Sequence, residues 1–105
     1  MNNLLKKEIV KNWFKSLQSS ICAEIEKIEG KKNLLKSKRW KRSSKNDEGG
    51  GEFHILENGK IFEKVGVNFS EVYGKFSKDF KKQLPGTNKS SNFWASGISV
   101  VMHMQ

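Results

Sequence analysis

The chain contains one cysteine, one proline and no uninterrupted apolar run that approaches the length of a membrane span. The single cysteine, Cys22, excludes an intramolecular disulfide and a cysteine-cluster metal site, and it is typical of a reducing compartment. Charged residues interrupt the first apolar ones, so no secretory signal is predicted, and a membrane helix needs about 18 apolar residues. We therefore expect a cytoplasmic protein without a membrane span.

Several catalytic motifs are also absent. The sequence has no GxxxxGK[ST] phosphate loop, no GxGxxG dinucleotide motif and no HExxH zinc motif. The glycine run Gly49–Gly51 precedes a strand pattern and lacks the helix N-terminus that would bind a phosphate. We interpret this run as backbone that passes close to a neighbour or ligand, or as a flexible lead-in to the next segment.

Acidic residues are missing from one stretch of a chain whose net charge is +9. Residues 31–45 hold eight of the 20 basic residues, while the rest has 12 basic against 11 acidic residues. Because Trp40 lies in this stretch and aromatic residues can stack on bases, a small nucleic-acid-binding module is one hypothesis. The favoured interpretation is a solvated connector that is anchored by Trp40.

Residues 3–29 have the periodicity of an amphipathic helix, and 105 residues allow one small domain at most. Asn2 or Asn3 can cap its start and Gly30 can end it. Cys22 lies beside the apolar stripe and is expected to be a partly buried, inert thiol. The polar face mixes Glu and Lys, which disfavours binding to a membrane surface. The stripe consists of Val10, Phe14, Leu17, Ile21, Ile25 and Ile28, widened by Leu5, Ile9 and Trp13.

Asn58-Gly59 between two apolar segments predicts a β-hairpin, because a two-residue type I′ turn needs positive φ at both positions. With such a turn, Glu57 faces Lys60 and Leu56 faces Ile61. The second strand continues to Phe69, with Gly66 predicted as a bulge or a point of close approach. Residues 71–76 alternate again, and residues 77–84 predict one or two helical turns before Pro85-Gly86.

The last segment, from Phe93 to the end, predicts a strand with apolar residues on both faces, as in a sheet that is covered on both sides. Ser99 and His103 share one face of this strand, together with Val101. At about 3.3 Å per residue they are roughly 13 Å apart. That separation disfavours a hydrolase-type Ser–His pair.

Four blocks of the sequence together resemble the oxygen-dependent coproporphyrinogen III oxidases. They are WxR at residues 40–42, the glycine run at 49–51, FEKxGVNxSxVxG at 62–74 and FxAxGISxVxH at 93–103. The order and character of all four blocks agree, as does the leading helix. The similarity covers essentially the whole chain, and the combination is far more specific than any one block.

This resemblance implies an α+β fold in which an antiparallel β-sheet is flanked by helices, as part of a flat-sheet sandwich. The domain would comprise the helix 3–29, a basic connector 31–48 and a sheet-forming part 49–105. The implied activity is O2-dependent oxidative decarboxylation of two propionates of coproporphyrinogen III, which gives protoporphyrinogen IX in haem biosynthesis. No organic cofactor is implied, O2 is the co-substrate, and the need for a divalent metal is an open question in the family.

The resemblance also assigns residues. Ser99 corresponds to a substrate-contacting serine and His103 to a histidine described as a metal ligand, while Arg42, Asn68 and Ser70 are weaker candidates for substrate contact. The family works as a homodimer, but its chains are considerably longer than 105 residues, and its general-acid histidine and dimer-forming region have no counterpart here. We therefore expect an N-terminal fragment that is inactive alone; the alternatives are the nucleic-acid module and a non-functional gene remnant.

Overall fold

The structure, a computed structural model, describes residues 2–75 and 92–105. One helix, α1 (Asn3–Glu29), is followed by four strands: β1 (Lys36–Lys41), β2 (Gly49–Glu57), β3 (Phe62–Lys75) and β4 (Asn92–Met104). The strands form one antiparallel sheet in the order β1-β2-β3-β4. This confirms the α+β class. The predicted helical turns at residues 77–84 lie outside the described residues.

Both ends of α1 are where the sequence places them. The Asn2 side chain accepts a hydrogen bond from the Leu5 backbone N–H at 2.8 Å, which satisfies one of the free donors of the first turn. Gly30 adopts a left-handed conformation at φ 77°, and its N–H donates to the carbonyls of Glu26 and Lys27. This conformation carries a steric penalty for other residues, so Gly30 ends the helix. No helix among the described residues is long and apolar enough to cross a membrane.

The buried face of α1 differs from the predicted apolar stripe. Gln18, Cys22 and Ile25 are the buried helix residues, whereas Ile9 and Trp13 are exposed. The reason is Gln18, whose Nε2 donates to the backbone carbonyls of Glu52 and Val67 at 2.8 and 3.0 Å. The helix face with Gln18 therefore lies against the sheet. Ile25 of the stripe is buried with it, whereas Leu5, Val10 and Ile28 are exposed.

Cys22 is buried within the core, as expected of an inert thiol. Burial raises the pKa of its thiol to about 11, with a smaller contribution from the nearby Glu26 carboxylate. The reactive thiolate is therefore scarce at neutral pH.

Strand β3 is the centre of the sheet and of the core. Its 14 residues pair with β2 on one side and β4 on the other, so residues 71–75 continue the strand instead of forming a new one. Val65 and Val67 are fully buried against α1. The one irregularity in the β3–β4 register lies between Phe62 and Lys64, so the prediction of a bulge at Gly66 is wrong.

The β2–β3 hairpin forms, but the predicted two-residue turn is wrong. Leu56 lies opposite Val65 instead of Ile61, a shift of four residues that keeps the paired residues from Lys64 onward on their predicted faces. Phe62, before the irregularity in the β3–β4 register, lies instead in the core. Asn58 has φ 57°, but Gly59 does not adopt the positive φ that a type I′ turn needs. The longer loop allows the Glu29 carboxylate to accept three backbone hydrogen bonds, from the N–H groups of residues 60, 61 and 62 at 2.9, 3.0 and 2.8 Å.

Replacement of Glu29 by Gln is expected to lower the Tm at pH 7 by roughly 4–8 °C, since an uncharged amide accepts these hydrogen bonds less strongly. The backbone N–H of Phe62, with those of Ile61 and Lys60, lowers the pKa of Glu29. The stabilisation is therefore complete above the unfolded pKa of about 4.3 and is lost as the pH falls through the lower folded pKa. Thermal melts of both proteins between pH 7 and 3 should converge at the acid end.

Glu24→Gln is the matched control, because this glutamate pairs with the exposed Lys27 on the same helix. A Glu29→Gln deficit that stays constant down to pH 3 would contradict the role of the ionised carboxylate.

The sheet begins before residue 49, in the segment predicted as a basic connector, whose residues 40–42 have the alternation of a short strand. Residues Lys36–Lys41, within the predicted basic connector, form β1, which occupies one edge of the sheet. Strand β4 occupies the other edge of the described sheet. The expectation that both faces of this strand are covered stays a prediction. The loop at residues 43–48 is present as predicted.

Candidate functional site

The register of the strands divides the side chains between two faces of the sheet. Helix α1 packs on one face through Ile25, Gln18 and Lys11. Among the described residues no helix covers the other face, which we call the open face. Its cross-strand rows are Trp40–Gly51–Ser70–Gly97, then Lys38–Phe53–Asn68–Ser99, then Lys36–Ile55–Gly66–Val101.

All five candidate residues lie on or at the rim of the open face. Asn68 and Ser99 are directly opposite each other on β3 and β4, and Ser70 is two residues further along β3, opposite Gly97. Within the described residues, no hydrogen bond engages the side-chain hydroxyls of Ser70 or Ser99. The sheet therefore brings together a polar cluster whose hydroxyls are available to a ligand.

Arg42 lies at one end of this face, just after β1. One terminal nitrogen donates to the Tyr73 carbonyl at 3.0 Å, and the guanidinium lies 4.9 Å from the centre of the Phe93 ring. The hydrogen bond and the cation–π contact fix the position of the charge. The guanidinium retains further N–H donors for an anion.

Small residues form the floor of the open face. A Cβ added to Gly66 or Gly97 would have no heavy atom of the described residues within 4 Å, so this part of the chain leaves the surface above both unfilled. Ser70, Ser99 and Ala95 lie among them in the same register. The floor therefore lies along β3 and β4, and larger side chains of the same face, Phe53 and Ile55, lie beside it on β2.

Gly51, in contrast to Gly66 and Gly97, is closely packed by its neighbours. An added Cβ would collide with the carbonyl oxygen of Phe69 and would lie 2.8 Å from two atoms of the Trp40 indole. The interpretation of Gly49–Gly51 as close-approach backbone is thus confirmed: similar collisions arise at Gly49 with Glu71 and at Gly50 with Trp40.

His103 lies at the far end of the open face, exposed, and its nearest neighbour across the strands is Lys64. The residues that the structure describes contain no group of three His, Cys, Asp or Glu that could hold a metal ion. A single imidazole opposite a lysine does not make a metal centre. The imidazole supplies one ligand, and the lysine ammonium is a cation that repels a metal ion. The described part of the chain therefore does not fit a bound metal by itself.

The basic segment does not form a single cationic stripe. Lys36 and Lys38 point to the open face, whereas Arg39 and Lys41 point to the helix side. The Trp40 indole N–H donates to Asn68 Oδ1 at 2.8 Å. The side chain that could have stacked on a base is thus held within the sheet.

A second concavity opens on the helix side of the β1–β2 end, with a volume of about 610 Å³. Its carboxylates are already engaged. Glu52 contacts His54 and Arg39 at 3.1 and 3.8 Å, and Glu71 accepts from the Trp94 indole at 3.0 Å. None of the five candidate residues lines this cleft.

Comparison with known proteins identifies the family of the chain. The sequence profile described as "Coproporphyrinogen III oxidase" matches residues 9–105, and the chain belongs to this family. It is 44% identical over 107 residues to the oxygen-dependent coproporphyrinogen-III oxidase of Rickettsia bellii (strain RML369-C), an alignment that covers 98% of this chain and 38% of the relative. It is 43% identical to the proteins of that name from Rickettsia felis and Rickettsia typhi, of which 37% and 38% are covered. The chain thus spans a little over a third of the length of these relatives.

Trp40 is the residue whose contribution sequence reasoning missed. Its pairing with Asn68 crosses an intervening strand and could be found only once the register was known. The sequence did contain one indication of this pairing, because Trp40, the glycine run and Asn68 all belong to the four sequence blocks that carry the family resemblance.

Proposed function

We propose that this chain forms part of the substrate site of an oxygen-dependent coproporphyrinogen III oxidase. The observation that carries the proposal is the open face, where a floor of small residues is bordered by hydroxyl, amide and guanidinium groups. Such a surface suits a broad macrocycle that carries carboxylates at its rim.

The reaction removes CO2 and a hydride equivalent from each of two propionates, and O2 accepts the two electron pairs. In this scheme Ser99 and Asn68 hold a carboxylate by hydrogen bonds, and Arg42 neutralises another at the end of the floor. Ser70 lies beside the first pair. His103 contributes to the far wall of the site, and no step is assigned to it.

Several parts of the proposal concern the longer proteins of the family. Homodimer formation, a cytoplasmic location and the oxidative step itself are predictions, of which the last needs groups beyond those of the open face. We expect the purified chain alone to give no protoporphyrin from coproporphyrinogen III in air. Clear turnover by residues 1–105 would contradict this expectation.

Binding can be tested without turnover. The stable oxidised analogue coproporphyrin III is titrated into the chain by porphyrin fluorescence, with its tetramethyl ester as the uncharged control. Gly97→Leu places a side chain on the unfilled floor and is expected to weaken binding roughly tenfold or more, while the Tm does not fall. Val100→Leu, on the opposite face of the same strand, is the matched control.

If Gly97→Leu binds coproporphyrin III as tightly as the wild type, the open face is not the binding site. Equal affinity for the tetramethyl ester would remove the role of carboxylate recognition.

A further inference from the structure

The Trp40 side chain spans three strands. It starts on β1 opposite Gly51, its indole lies over Gly51 on β2, and its Nε1–H reaches Asn68 Oδ1 on β3 at 2.8 Å. A Cβ on Gly51 would lie 2.8 Å from both Nε1 and Cζ2 of the indole, so only glycine leaves this path open. The indole is further fixed by the Phe53 ring, whose centre is 6.3 Å away at an angle of 43°.

This contact determines which way the Asn68 amide faces. An indole N–H can only donate, so the atom that meets it must be the amide oxygen. The amide is planar, and its NH2 group therefore lies on the side away from Trp40, where Ser99 is the cross-strand neighbour. Within the described residues, no hydrogen bond engages the two N–H donors of that group.

We infer that Trp40 is a positioning residue for ligand binding: it holds the Asn68 amide so that its NH2 group, beside the Ser99 hydroxyl, donates to a carboxylate of the substrate. The inference rests on the proposed function and extends it, because it names the residue that sets the orientation of the donor. Without Trp40, the amide can turn about its terminal bond and present its oxygen, which repels a carboxylate.

The competing interpretation is that Trp40 only packs the sheet over Gly51 and Phe53. A packing role would affect all ligands of the open face equally and would appear as a loss of stability. A positioning role affects carboxylate ligands selectively, and the two roles can therefore be separated.

Trp40→Phe retains an aromatic ring but removes the N–H donor. We expect it to weaken coproporphyrin III binding roughly five- to tenfold and to leave binding of the tetramethyl ester unchanged. Asn68→Ala should cause a similar loss, and the double variant should bind no more weakly than Asn68→Ala alone, because both changes remove the same interaction. Asn68→Asp keeps the acceptor for Trp40 but replaces the donors with a negative charge, so it should bind more weakly still.

The orientation of the amide can also be measured without a ligand. In the 15N-labelled wild-type chain, the chemical shifts of the two side-chain N–H protons of Asn68 should differ from those of a free amide. In Trp40→Phe these chemical shifts should move towards the free-amide values. Unmoved amide signals would overturn the inference. So would equal weakening of binding for the acid and the ester, or unchanged coproporphyrin III binding by Trp40→Phe when the wild type binds.

Failure of the wild-type chain to bind coproporphyrin III would contradict the proposed function and the ligand assigned to the Asn68 donors. The amide spectrum would still decide whether Trp40 orients Asn68, so the two failures are distinguishable.

Discussion

Replacement of Ile25 by alanine is expected to reduce the free energy of unfolding by about 2–5 kcal/mol, the usual range for such a truncation in a packed core. Ile25 is 2% exposed, and it is the apolar helix residue on which the contact between α1 and the sheet is centred. A domain of this kind has only about 5–15 kcal/mol of stability in total. The variant should therefore lie close to the limit of folding. The side chains packed with Ile25 in the core are Cys22, Leu56, Phe62, Val65 and Val67.

Ile28→Ala is the matched control. Ile28 lies three residues later on the same helix and within the apolar stripe of the sequence, yet it is 52% exposed. Its truncation should change the unfolding free energy by less than about 1 kcal/mol. Chemical denaturation of both variants, followed by far-UV circular dichroism, measures the difference. Equal losses would show that Ile28 is buried as deeply as Ile25, which would contradict the orientation of α1 on the sheet.

Replacement of Gly51 by alanine is expected to destabilise the chain by about 1–3 kcal/mol, the cost of inserting a methyl group where no space exists. The added Cβ would collide with a backbone oxygen of β3, which cannot move without disturbing the β2–β3 pairing, and with the Trp40 indole. The same variant should also weaken coproporphyrin III binding, because the displaced indole no longer reaches Asn68.

Gly66→Ala provides the comparison within the same sheet. No heavy atom of residues 2–75 and 92–105 lies within 4 Å of the added Cβ, and Gly66 does not have a positive φ. Alanine should therefore stabilise the chain by about 0.4–1 kcal/mol, by restricting the unfolded state. Opposite signs of the two effects, measured by denaturant midpoints at equal slope, are the expected result. A neutral Gly51→Ala would show that the glycine run does not serve close approach.

Features that depend on neighbouring residues could be predicted from the sequence. The limits of α1 follow from Asn2 and Gly30, whose capping roles are local. The faces of β4 follow from strict alternation, so Ser99 and His103 share a face as expected. The grouping of Asn68 with Ser70 follows from the same alternation along β3.

Features that depend on distant residues could not be predicted. The buried face of α1 is set by Gln18, whose partners are carbonyls of β2 and β3, and a polar side chain gives no sign in the sequence that it will face a core. The position of Asn68 opposite Ser99 depends on the β3–β4 register. The two strands are separated by 16 residues in the sequence, so no short turn defines this register. The candidate residues could be named from the resemblance, but their common surface required the register.

The hydrogen bonds to Glu29 also determine the order in which the chain can fold. Locally, the Asn58-Gly59 pair favours a tight turn, whereas the native hairpin needs a carboxylate that lies about thirty residues earlier in the chain. The isolated hairpin is therefore expected to favour a strand register that differs from the native register by four residues. We therefore expect productive pairing of β2 with β3 to follow, or accompany, docking of the end of α1. The segment with the strongest local signal is thus a poor nucleus for folding, and the end of the helix acts as the template for its register.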